Sequence, residues 1–82
     1  MSGERPRKRS LTIRGHRTSV SLEEPFWQEF RRLAAEEGKS LNLLAAEIDA
    51  SRSPPASLAS AIRVWVLMRL RMEARSEDDA SR

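Results

Sequence analysis

From Ser10 to Leu22 apolar and polar residues alternate with period two in a stretch rich in Thr, Ser, Val and Ile, which predicts half-buried strand. The parity changes midway. Leu11 and Ile13 are the apolar positions of the first half and Val20 and Leu22 those of the second, so one continuous strand would set the two pairs on opposite faces. Two arrangements reset the face. One is a hairpin with a type II′ turn at Gly15-His16, which pairs Arg14 with Arg17, Ile13 with Thr18, Thr12 with Ser19 and Leu11 with Val20. The other is a bulge or break at Gly15 that leaves only the second strand in a sheet. In both, Thr18, Val20 and Leu22 face inward, and Arg17, Ser19 and Ser21 face out.

After Leu22 the period lengthens. Pro25 is a favoured first helical residue and Glu23 and Glu24 suit the positive end of a helix dipole, so a helix is predicted to begin there. Phe26, Trp27, Phe30, Leu33 and Ala34 form its apolar stripe, and Gly38 ends it as a left-handed cap. Ser40 caps a second helix with the stripe Leu41, Leu44, Ala45 and Ile48, stopping near Ala50 before Ser51–Pro55. Ser57 caps a third, where Leu58, Ala61, Ile62 and Trp65 share a face. The run Val64–Met68 widens that surface beyond one stripe, which calls for burial on more than one side. Three segments follow: a disordered basic arm over 1–9, a folded domain over 10–72 and a charged flexible tail over 73–82.

Composition narrows the class. A foldable stretch of roughly 60 residues buries only about 60% of its unfolded surface. With no cysteine and one histidine, neither disulfides nor a zinc site can add stability, so a homodimer is expected. The longest apolar run, Val64–Met68, is far short of a bilayer span, and a cytoplasmic, nucleoid-associated location without membrane contact is expected. The net charge is +3, yet residues 1–17 carry six basic side chains against Glu4 alone. A basic arm beside a near-neutral body is a signature of nucleic-acid binding, and equally of a solvated tail. No nucleophile–base spacing and no glycine-rich phosphate loop is visible, so no catalytic residue, metal or cofactor is expected and the chain is read as a non-enzyme.

A Thr/Ser/Val strand, a helix, a Gly-x-Ser turn and a second helix within Arg17–Ala50 resemble the ribbon-helix-helix fold. Gly15-His16-Arg17-Thr18-Ser19, the pair Phe26-Trp27 and the run Leu58-Ala59-Ser60-Ala61-Ile62-Arg63-Val64 resemble its short bacterial members with an added C-terminal helix. The resemblance implies a mainly α protein with a short N-terminal β-ribbon, a homodimer whose strands pair between chains as an intermolecular antiparallel sheet, and a third helix. It implies DNA as partner, the ribbon entering the major groove and the start of the second helix holding a phosphate.

On that basis Arg17, Ser19 and Ser21 are candidates for base readout. Arg can grip guanine with two hydrogen bonds, and Ser can serve several base edges. Candidates for phosphate contact are Lys39 and Ser40 at the start of the second helix, and Arg5, Arg7, Lys8, Arg9 and Arg14 around the arm and turn. Plainer readings stand beside these: a solvated strand face for the first set, and a helix stop followed by a helix start for Gly38-Lys39-Ser40. His16 reads as a turn residue, Trp27 and Trp65 as core, and Arg63 as a partner for Glu47 or Asp49. The alternative to a sequence-specific regulator is a protein-interaction module, an antitoxin or adaptor, using the apolar third helix.

Overall fold

The computed structural model describes residues 5–80. Its order is β1 (Arg7–Ile13), β2 (His16–Leu22), α1 (Glu24–Glu36), α2 (Leu41–Ser51) and α3 (Leu58–Ala80). The two strands form an antiparallel hairpin within one chain, with Ile13 opposite His16, Thr12 opposite Arg17 and Leu11 opposite Thr18. The expected hairpin exists, but its turn lies one residue earlier than Gly15-His16 and its register is shifted by two. Arg14 and Gly15 are the loop residues, both at positive φ, 53° and 79°. That is the type I′ geometry, whose twist matches the strands it joins. Arg14 therefore does not face Arg17, and the like-charge pair expected there is absent.

The shift lengthens the ladder to Arg7↔Leu22, so order begins three residues before Ser10. Arg7, Lys8 and Arg9, expected in a disordered arm, belong to β1. The first four residues of that arm lie outside the described residues. The expected N-terminal antiparallel ribbon, followed by three helices, is present, and β1 and β2 of one chain form it here.

One face of the ribbon packs on the helices. Leu11, Ile13, Val20 and Leu22 are buried there, together with Trp27, Phe30, Leu33 and Ala34 of α1, Leu44, Ala45 and Ile48 of α2, and Ile62 and Val66 of α3. Phe30 anchors the centre, meeting Trp65 edge-on with ring centroids 6.4 Å apart. α1 ends in a Schellman arrangement: the Lys39 amide donates to the Ala34 carbonyl and the Gly38 amide to that of Ala35, with Gly38 at φ 67°. α2 opens on Ser40, whose hydroxyl accepts from the Leu43 amide at 3.0 Å, and Ser57 does the same for Ser60 at the start of α3.

α3 runs on to Ala80, past the expected boundary at Met72. One cause is on another element. Arg32 of α1 binds Glu29 at 2.7 Å, Glu36, and Glu73 at 3.1 Å, which ties the second half of α3 to α1. These carboxylates hold the Arg32 proton more firmly than usual, Glu73 foremost. Ser81 and Arg82 of the expected tail lie outside the described residues. No helix among the described residues is long and apolar enough to cross a membrane.

Candidate nucleic-acid interface

The pleat sorts the ribbon's side chains into two sets. Leu11, Ile13, Val20 and Leu22 turn inward, and Arg7 and Arg9 share their side of β1. The opposite side consists of Lys8, Ser10 and Thr12 on β1 and Arg17, Ser19 and Ser21 on β2, and all six are exposed. In the observed register Lys8 lies across from Ser21, Ser10 from Ser19 and Thr12 from Arg17. This outward face holds two cations, four hydroxyls and no carboxylate. Arg17, Ser19 and Ser21 thus lie together on it, as their parity predicts.

Sequence reasoning missed Ser10 and Thr12, and it placed Lys8 on the arm. The signal was available: once a hairpin is accepted, the polar alternates of the first strand must share a face with those of the second. Residues 5–22 contain six basic side chains and no acidic one, so the ribbon's own charges are all of one sign.

Arg9 is placed differently from the other arm cations. On the inward side of β1 opposite Val20, it lies over the Trp27 ring at 5.0 Å from the centroid and hydrogen-bonds Glu24. Glu24 is held below its ordinary value, chiefly by the hydrogen bond from Gln28 and then by the charges of Arg9 and Arg7. Arg9 therefore fastens β1 to the start of α1. Arg5, Arg7 and Lys8 stay exposed, and Arg14 projects from the turn.

The start of α2 sits beside the ribbon. Asn42 in its first turn accepts from the Thr12 amide at 3.0 Å, placing the positive end of α2 against the outer edge of β1. Ser40 takes the Leu43 amide, so the Leu41 and Asn42 amides are the donors left for an anion. Lys39 is beside them, but its ammonium binds Glu47 at 2.7 Å and Glu37 at 3.4 Å. Its charge is already shared between two carboxylates. On the other edge, Arg63 binds Glu23 at 2.9 Å and donates to the Ser21 carbonyl at 3.2 Å, so its partner is neither Glu47 nor Asp49. Arg63 holds the Glu23 carboxyl below its ordinary value through that hydrogen bond.

His16 is exposed beside the turn, opposite Ile13. Among the described residues no group of three or more His, Cys, Asp or Glu could hold a metal ion. A family model for the ribbon-helix-helix domain matches residues 6–70. No curated protein and no solved structure matches the chain.

Proposed function

This chain belongs to the ribbon-helix-helix family, and on that premise we propose that it is a sequence-specific DNA-binding regulator that reads the major groove with its own β-hairpin. Ribbon-helix-helix domains generally bind DNA as transcription regulators and are typically not enzymes. One observation carries the reading for this chain: Lys8, Ser10, Thr12, Arg17, Ser19 and Ser21 form one exposed, acid-free face on a two-stranded ribbon. A two-stranded ribbon fits the width of the major groove. Arg17 supplies the bidentate donor set for guanine, and the hydroxyls serve neighbouring base edges.

Phosphate contacts flank that face. Arg5, Arg7 and Arg14 have exposed cationic side chains at the two ends of the ribbon, and the Leu41 and Asn42 amides offer an anion the positive end of α2 beside the Thr12 edge. Lys39 contributes less than a free cation would, since Glu47 and Glu37 compete for it. Arg9 contributes to the fold that presents the ribbon.

Fluorescence anisotropy against a selected operator and against random duplex, titrated with salt, tests the proposal. Arg17→Ala is expected to weaken operator binding by about 1–3 kcal/mol and random-duplex binding by less, because base readout is lost along with charge. Paired Arg5→Gln and Arg7→Gln should weaken both duplexes alike and reduce the slope of log K against log salt by roughly 0.9 per lost phosphate contact. No salt-dependent binding to any duplex, or an operator preference untouched by Arg17→Ala, overturns the assignment of this face.

A further inference from the structure

Four charged side chains from three helices and a turn form a line beside the start of α2. Arg69 of α3 pairs with Glu37, the residue that closes α1, and lies over the Trp65 ring at 4.9 Å from its centroid. Lys39, in the turn, reaches Glu37 at 3.4 Å and Glu47 of α2 at 2.7 Å. Charges alternate along this line and cancel. The two carboxylates, however, are held differently. Glu37 has two cations and its side chain is 21% exposed, whereas Glu47 pairs with Lys39 alone among the described residues and its side chain is 45% exposed. When Lys39 leaves, Glu37 keeps Arg69 and Glu47 turns to water.

We propose that Glu47 is a specificity residue for the DNA interface assigned above, a reading on which this inference rests: it withholds Lys39 from phosphates met at random and releases it to a phosphate seated on the Leu41 and Asn42 amides. A lysine on its flexible stem reaches any nearby phosphate, so a free one raises affinity for every duplex. With two carboxylates beside it, Lys39 offers an approaching phosphate little net charge, and exchanging one anion for another gains little. A phosphate held by two backbone amides and the positive end of α2 is fixed next to Lys39 and competes with Glu47 continuously. Seating there is tied to the ribbon. The Asn42 side chain accepts from the Thr12 amide, so the start of α2 and β1 approach the duplex as one body and the phosphate is in place when the outward face is in the groove. Lys39 is thus spent on the operator and kept back elsewhere.

The salt dependence of binding reads this directly, because each phosphate contact contributes roughly 0.9 to the slope of log K against log salt. Glu47→Gln removes the charge and keeps a good helix former. Fluorescence anisotropy should show random-duplex affinity rising by up to about fivefold, the size of an exposed ion pair, with a slope steeper by roughly 0.9. Operator affinity should rise less, its slope unchanged, since that contact is already made. Glu36→Gln removes the same charge from a carboxylate paired with Arg32 and should leave both slopes alone. In a Lys39→Gln background Glu47→Gln should change nothing. Equal steepening on both duplexes, an equal response to Glu36→Gln, or an effect that survives the loss of Lys39 overturns the proposal.

A heparin column, which offers a polyanion without bases, separates this inference from the DNA reading. Glu47→Gln should elute at higher salt than the unmodified chain, and Glu47→Gln with Lys39→Gln no later than Lys39→Gln alone. Duplex binding without that heparin shift overturns the restraint on Lys39. The heparin shift without binding to any duplex upholds the restraint and overturns the DNA reading.

Discussion

Replacing Ile62 by alanine tests whether α3 is part of the domain's core or an appendage to it. Ile62 is fully buried, as are Val66 one turn along α3 and Phe30 of α1. Truncation removes apolar atoms from the buried side of α3, which packs against α1, α2 and β2, so neighbours can collapse into the gap only in part. Such a change costs about 2–5 kcal/mol, the transfer term plus the cavity term. A domain of this length has a total stability of roughly 4–11 kcal/mol at 0.05–0.15 kcal/mol per residue. A loss of ~3 kcal/mol is a large share of that, and at ~4–8 °C per kcal/mol it lowers the melting temperature by about 12–24 °C. Urea unfolding followed by circular dichroism and by tryptophan fluorescence measures it. The chain's two tryptophans, Trp27 and Trp65, lie on α1 and α3 and report on both sides of the contact. Val64→Ala, two residues away and 57% exposed, is the control, expected to stay within ~0.5 kcal/mol at concentrations too low for association. A loss below ~1 kcal/mol for Ile62→Ala, or fluorescence and dichroism transitions that part company, would show α3 folding independently of the ribbon and α1.

Gly38→Ala should cost about 1 kcal/mol from backbone strain alone, because Gly38 sits at φ +67° and nothing lies within 4 Å of an added Cβ. A thermal melt checks it, and an unchanged melting temperature would refute the strain. Ser40→Ala removes the acceptor for the Leu43 amide and should cost ~1 kcal/mol, while weakening operator and random duplex alike, as anisotropy would show. Glu23 and Glu24 are both held below the ordinary value of 4.5. Groups depressed in the folded state contribute stability that is fully present above that value and is lost as pH falls through the depressed ones. Melting temperature should therefore decline once pH drops below 4.5, and Glu23→Gln should melt lower at neutral pH with a shallower acid decline. An acid limb identical in Glu23→Gln would show that the Arg63 pair adds no stability.

The strand parity, the helix caps and the apolar stripes were legible because each is a local pattern that burial enforces. The change of parity between Ile13 and Val20 required a turn near Gly15, and burial of Leu11, Ile13, Val20 and Leu22 on one side follows from it. The register was not legible, for a definite reason. Pairing Leu11 with Val20 and pairing Leu11 with Thr18 leave every side chain on the same face, since the two registers differ by two residues and the pleat repeats every two. Only the turn distinguishes them, and Gly15 suits either type: first position in II′, second in I′. The I′ turn asks Arg14 to adopt φ 53°, which its side chain does not advertise. From that one ambiguity the other differences follow. The observed register carries β1 back to Arg7, sets Arg9 opposite Val20 on the inward side, and gives it Trp27 and Glu24 as partners, so a residue that reads as a free cation in the sequence becomes a fastening between β1 and α1. It also brings Lys8, Ser10 and Thr12 beside Arg17, Ser19 and Ser21, doubling the outward face. The length of α3 was hidden differently. Glu73 looks like the start of a solvated tail until Arg32, 41 positions earlier, is placed against it. Charge pairs between elements are set by tertiary geometry, and no periodicity along one segment reveals them.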